Sequence, residues 1–148
     1  MLVITPRLIE AMINEARRDH PYETCGIIAG AEGSNTPKRL ITMRNIAKSR
    51  SFFQFDAKQQ LQVWREMADR GEEPIVIYHS HTDSAAYPSR EDILYASEPQ
   101  AHYVIIATNS AYGETVRSFR IVNGTVTEER IQQVAEQKHA LEMRLEVA

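Results

Sequence analysis

The chain of 148 residues holds one cysteine, Cys25, so no internal disulfide can form. That excludes small secreted scaffolds stapled by disulfides and Cys-rich zinc fingers. An excess of positive charge is missing too. Seventeen Lys and Arg face 20 Asp and Glu, a net charge of −3, which argues against nucleic acid as a partner. Long apolar runs are absent. Stretches such as Ile75-Val76-Ile77-Tyr78 are far shorter than the ~20 residues a membrane-spanning helix needs, so no membrane partner is expected. Met1 to Pro6 carries no basic leader ahead of an apolar core, and the expected compartment is the cytoplasm. No internal repeat or low-complexity segment interrupts the chain. The length suits one domain with its own core.

The pattern of apolar residues supplies the elements. Leu2-Val3-Ile4 reads as a short strand, and Thr5 with Pro6 as the cap and first position of a helix. Leu8, Ile9, Met12, Ile13 and Ala16 share one face of that helix, which should stop before Pro21. Strands are predicted at Thr24–Ala29, Arg39–Asn45, Phe52–Phe55, Pro74–His81 and Tyr103–Ala107. Asp56 and Gln59 have the spacing of a capping box opening a helix with Leu61, Trp64 and Met67 on one face. Ser89 caps a short helix through Ser97. Asn123-Gly124 joins strands Thr115–Val122 and Thr125–Ile131 in a hairpin. The expected fold class is α/β (α+β), a mixed central β-sheet flanked by helices, over residues 1–133. Residues 134–148, without Gly or Pro, form either a flexible tail or a helix. As a helix, the segment would bring Val134, Leu141 and Leu145 against the body or a second copy, a possible homodimer.

The chemistry concentrates in His79-Ser80-His81, followed after seven residues by Ser89 and three further on by Asp92. Residues i and i+2 of a strand point to one face, about 6.6 Å apart at ~3.3 Å per residue, so two imidazoles there can converge on one ion. Zinc accepts His nitrogen and Asp oxygen, and a catalytic site leaves a fourth position for water. His79, His81 and Asp92 would make such an open site. Ser89-x-x-Asp92 is equally a plain helix cap, and a lone His-x-His pair is a weak signal. A catalytic zinc site also needs a general base, and spacing leaves any of the 20 carboxylates open. A Cys25 nucleophile paired with His79 is an alternative to a small buried thiol. A zinc deaminase is excluded, since its signature needs two cysteines. His102 reads as structural rather than as a ligand.

The His79-x-His81-x7-Ser89-x2-Asp92 run resembles the motif of the JAMM (MPN-plus) zinc metallopeptidases, over residues 1 to about 131. The resemblance implies a cytidine-deaminase-like sandwich and one Zn2+ per chain held by His79, His81 and Asp92. It implies Glu23, at the start of a strand after the first helix, as the acid/base, and Ser89 as a donor to the developing oxyanion. It gives Ser80, between the two histidines, a supporting role, and the place of Tyr87 in the loop between the ligands makes it a candidate substrate contact. Thr82 departs from the pattern, in which proline often follows the second His. Runs at Arg17–Pro21, Tyr78–His81, Ala86–Ser89 and Ala101–Val104 narrow the likeness to bacterial members acting on ubiquitin-like sulfur carriers. Those members release cysteine from the carrier's C-terminal Gly-Gly, in cysteine biosynthesis. An isopeptidase or trimming protease on another ubiquitin-like protein, and a metal-free binding scaffold, remain the alternatives.

Overall fold

The structure, a computed structural model, describes residues 1–113 and 115–136. The elements run β1 (Leu2–Ile4), α1 (Pro6–Asp19), β2 (Cys25–Ala31), β3 (Arg39–Met43), α2 (Ala57–Asp69) and β4 (Glu72–His81). They continue with α3 (Arg90–Tyr95), β5 (His102–Ala107), a 3-10 turn at Ser110–Tyr112, β6 (Val116–Val122), β7 (Thr125–Glu129) and β8 (Ile131–Gln133). Six strands form one mixed sheet in the order β3-β2-β4-β5-β6-β7, with only β4 and β5 parallel. The α/β architecture with a mixed central sheet is as the sequence implied.

The central strands are buried on both faces, which is why β2, β4 and β5 read as unbroken apolar runs. Their side chains alternate. Ile28, Val76, Tyr78, Val104 and Ile106 pack against Leu8, Ile9, Met12 and Ala16 of α1. Ile27 joins Met67 on the opposite face, where Ile77 and Ile105 pack with Phe119. The same alternation sends His79 and His81 to the face of Ile77, and Ser80 to that of Tyr78.

Tyr78 is fully buried, and its hydroxyl donates to the Glu15 carboxylate at 2.5 Å, with Thr42 donating to the other oxygen. The ring lies across Gly26, directly opposite on β2. A Cβ at Gly26 would stand 2.2 Å from the Tyr78 hydroxyl oxygen and 2.3 Å from the ring. Gly26→Ala therefore overpacks a tethered, buried ring, at an expected cost of about 1–3 kcal/mol. Thermal denaturation should show a Tm lowered by roughly 3–10 °C, and an unchanged Tm would contradict this packing.

Several expectations change. Phe52–Phe55 is not a strand; only a bridge from Asn45 to Phe55 forms. The Asn45 amide takes over the ladder's role, donating to Phe52 O at 3.1 Å and accepting from Gln54 N at 3.0 Å. Asp56 caps α2 through Lys58 N, but Gln59 accepts from Arg44 N instead of closing a capping box. Thr5 holds the N-cap position of α1 without a side-chain cap bond. The strand expected over Thr125–Ile131 breaks at Arg130, and β8 pairs in parallel with β1 as a separate two-stranded sheet. Strand β4 starts two residues early, at Glu72. Pro74, which lacks a donor, sits beside the register shift between Ile28 and Ala29. His102 is structural, buried between Glu129 (2.5 Å) and Asn35 (2.7 Å).

Val134 is buried and its N–H donates to Ile4 O at 3.0 Å. Leu141 and Leu145 lie outside the described residues. Among those described, no helix is long and apolar enough to cross a membrane.

Candidate metal centre

Strand β4 carries His79 and His81 out to its C-terminal end, where ligands commonly bind in α/β sheets. Their Nε2 atoms stand 3.0 Å apart. Asp92 reaches them from the first turn of α3, its Oδ2 lying 3.0 Å from His79 Nε2 and 3.1 Å from His81 Nε2. The cap and ligand readings of Ser89 and Asp92 hold together. Ser89 Oγ accepts from Asp92 N at 3.1 Å, and Ser89 N donates at 2.8 Å to the same Asp92 Oδ2 that faces both imidazoles. The capping box thus aims the carboxylate at the histidines.

Antiparallel pairing of β2 with β4 supplies the fourth group. Cys25 stands opposite His79, so two residues earlier Glu23 falls opposite His81 and on its face. One carboxylate oxygen of Glu23 and one nitrogen each of His79 and His81 lie within 4.8 Å of one another. Ser80, on the other face, accepts from Thr24 N at 2.8 Å and donates its own N–H to Thr24 O, pinning the Glu23 segment. Asn45 Nδ2 donates to Glu23 O at 3.1 Å, and Glu23 N donates to Ser49 O at 2.9 Å. Asn45 escaped the sequence reading, since nothing local in sequence links it to Glu23. Phe53 stacks on His79 with ring centroids 4.4 Å apart. Tyr87 is not brought to this cluster. Its half-exposed ring packs edge-on against Phe119, beneath the Arg117 guanidinium.

Burial raises the Glu23 carboxyl to about 7, with His81 opposing the shift and Asp92 adding to it. Burial also resists ionisation of Asp92, but bonds to His79, His81 and Ser89 N outweigh it and hold that carboxyl well below its usual range. Burial depresses His79. It acts the same way on His81, where contacts with Asp92 and Ala85 O reverse the direction. Cys25 is pushed up to about 12 by burial, then by nearby carboxylates, and its thiol donates to Met43 O. Such a thiol is no nucleophile at neutral pH.

The donor set fits zinc. His81 Nδ1 lies 2.8 Å from Ala85 O, which places the proton there and leaves the Nε2 lone pair facing the other two donors. Three lone-pair atoms at 3.0–3.1 Å form a nearly equilateral triangle. Tetrahedral ligands at 2.0–2.1 Å from zinc are about 3.3 Å apart, close to this spacing. Two cavities lie at this end of the sheet. One of about 400 Å³ opens on the His79 and Asp92 side, walled by Phe52, Phe53, Phe55, Trp64 and Tyr95. The second borders Thr82, the residue after His81.

Comparison with known proteins gives the family. Residues 5–122 match the family described as prokaryotic homologs of the JAB domain. The CysO-cysteine peptidase of Mycobacterium tuberculosis is 52% identical over 131 residues, 88% of this chain and 90% of that protein. The solution structure of protein DSY2949 from Desulfitobacterium hafniense superposes with a TM-score of 0.76 at 29% identity, covering 94% and 98% of the two chains. A structure presented as a JAMM metalloprotease-like zinc site in the proteasome and signalosome shares the fold, with a TM-score of 0.58 at 16% identity over 90% and 98%. The match across most of the chain, with identity above half to a named peptidase, places this protein in the prokaryotic JAB-domain branch of the JAMM/MPN family, as a JAMM-type peptidase.

Proposed function

We propose that this chain is a zinc-dependent peptidase that hydrolyses the amide between the C-terminal glycine of a ubiquitin-like sulfur carrier and cysteine. The observation that carries the chemistry is the convergence of His79, His81 and Asp92 with Glu23 beside them. Support for the substrate comes from the likeness to the mycobacterial CysO-cysteine peptidase.

His79, His81 and Asp92 would hold the metal. Bound zinc supplies a Lewis acid for the carbonyl oxygen and lowers the pKa of a water from ~15.7 toward ~7. Glu23 takes the proton from the attacking water and passes it to the leaving nitrogen as the C–N bond breaks. Ser89 Oγ spends a lone pair on Asp92 N, so its own hydrogen remains to donate to the oxygen that becomes negative. Water adds hydroxyl to the glycine carbonyl and hydrogen to the amine, so the products are the carrier acid and free cysteine.

An isopeptidase acting on lysine-linked conjugates would use the same groups. Incubation with carrier–Cys and with a lysine-linked carrier adduct separates the two. Faster release of cysteine supports the proposal, and cleavage of the lysine adduct alone would replace it. A binding scaffold has no need of the donor set, and its intact presence speaks against that reading.

A further inference from the structure

The second cavity, about 440 Å³, is lined mostly by polar residues and borders Thr82, next to His81, and Pro21, two residues before Glu23. Thr82, on its wall, follows His81 directly, and its hydroxyl donates to Arg50 O at 2.7 Å. Thr108 donates its N–H to His81 O and is joined to His20 through its hydroxyl at 2.8 Å. The His20-Pro21 pair leads straight into Glu23. The wall of this cavity thus holds the residue after His81 and the residue two before Glu23, whereas the aromatic cavity borders His79 and Asp92 themselves.

The cavity wall carries one arginine, Arg50, and one carboxylate, Asp83. Asp83 Oδ1 accepts from the Tyr112 hydroxyl at 3.4 Å. The Arg50 side chain is exposed, and its guanidinium has no ion pair or hydrogen bond among the described residues. Arg39, Arg44 and Arg117 are committed to carboxylates, whereas Arg50 is the arginine that lines this cavity. An unengaged guanidinium beside a leaving-group pocket is suited to a carboxylate, which its fork can bind through two parallel hydrogen bonds. Hydrolysis at a C-terminal residue releases a zwitterion, and the wall offers one fixed charge of each sign.

We infer that this cavity is the leaving-residue subsite, in which Arg50 receives the free α-carboxylate and Asp83 faces the amino group that hydrolysis creates. The inference rests on the function proposed above and deepens it. It makes the enzyme selective for a single C-terminal amino acid over a lysine side-chain amide, which presents no carboxylate at that distance.

The test compares the zinc-loaded enzyme on two probes, a carrier ending in Gly-Gly-Cys with a free carboxylate and the same carrier ending in cysteine carboxamide. Loss of the terminal residue is followed by mass spectrometry. Charge-assisted hydrogen bonds are worth ~1.5–3 kcal/mol, so kcat/KM should favour the free acid by roughly 10–100-fold. In Arg50→Gln that ratio should fall toward one, and Arg50→Lys should keep part of it. Asp83→Asn separates the two charges, since it leaves the preference for the acid in place. Equal rates on both probes would overturn the subsite alone, as would a preference that survives Arg50→Gln. Turnover of neither probe would overturn the hydrolase reading together with the subsite.

Discussion

Replacement of Asp92 by asparagine is expected to abolish turnover and to strip the zinc from the protein. Loss of an outer-shell partner typically costs ~10–100-fold in metal affinity, and loss of a charged ligand should cost more. Asparagine is the informative substitution because its amide oxygen can still accept from Ser89 N and keep the cap of α3. Alanine removes this half of the capping box as well, while the Ser89 Oγ bond to the backbone N–H of residue 92 stays, and it strips both buried imidazoles of their carboxylate. Zinc content by elemental analysis and folding by circular dichroism separate the two effects. A folded Asp92→Asn protein with one tightly held zinc and full activity would remove Asp92 from the centre.

Glu23→Gln should give the opposite metal result with a similar loss of rate. Its Cα lies opposite His81 and its backbone is held by Asn45 and Ser49, so the neutral isostere keeps the local fold. Turnover should fall by ~10²–10⁴-fold, the usual share of a positioned acid/base, with zinc retained. Stability supplies an independent check. A carboxyl raised to about 7 from its ordinary 4.5 binds protons more tightly in the folded state than in the unfolded one. Wild-type stability in the metal-free protein therefore falls as pH rises from about 4.5 through 7. Glutamine escapes that penalty. At pH 8 the chelated variant should be more stable than wild type, on the order of 1–3 kcal/mol. At pH 4 the two should match. A variant as active as wild type would exclude Glu23 as the acid/base.

The chain shows plainly in its sequence what depends on local pattern. His79 and His81 share a face because they are two apart on a strand, and that strand is legible as an apolar run. Ser89 and Asp92 are legible as a cap, and the same carboxylate oxygen serves both cap and histidines, so two readings that seemed to compete are one geometry. Glu23 was different. Its place follows from the β2–β4 register, a pairing across more than 50 residues that spacing cannot give and that only the family resemblance supplied. Asn45 and the pairing of β8 with β1 were hidden for the same reason. Phe52–Phe55 misled because its aromatic residues have strand character, while a side-chain amide satisfies backbone groups that a neighbouring strand would otherwise have paired.

The most direct measurement is mass spectrometry of a purified sulfur carrier bearing C-terminal Gly-Gly-Cys, incubated with this protein with and without a zinc chelator. The expected result is loss of one cysteine residue, abolished by chelation and restored by added zinc. A folded, zinc-loaded enzyme that leaves the carrier mass unchanged would contradict the proposed reaction. Cysteine release that persists in the chelated protein would contradict the zinc chemistry assigned to His79, His81 and Asp92.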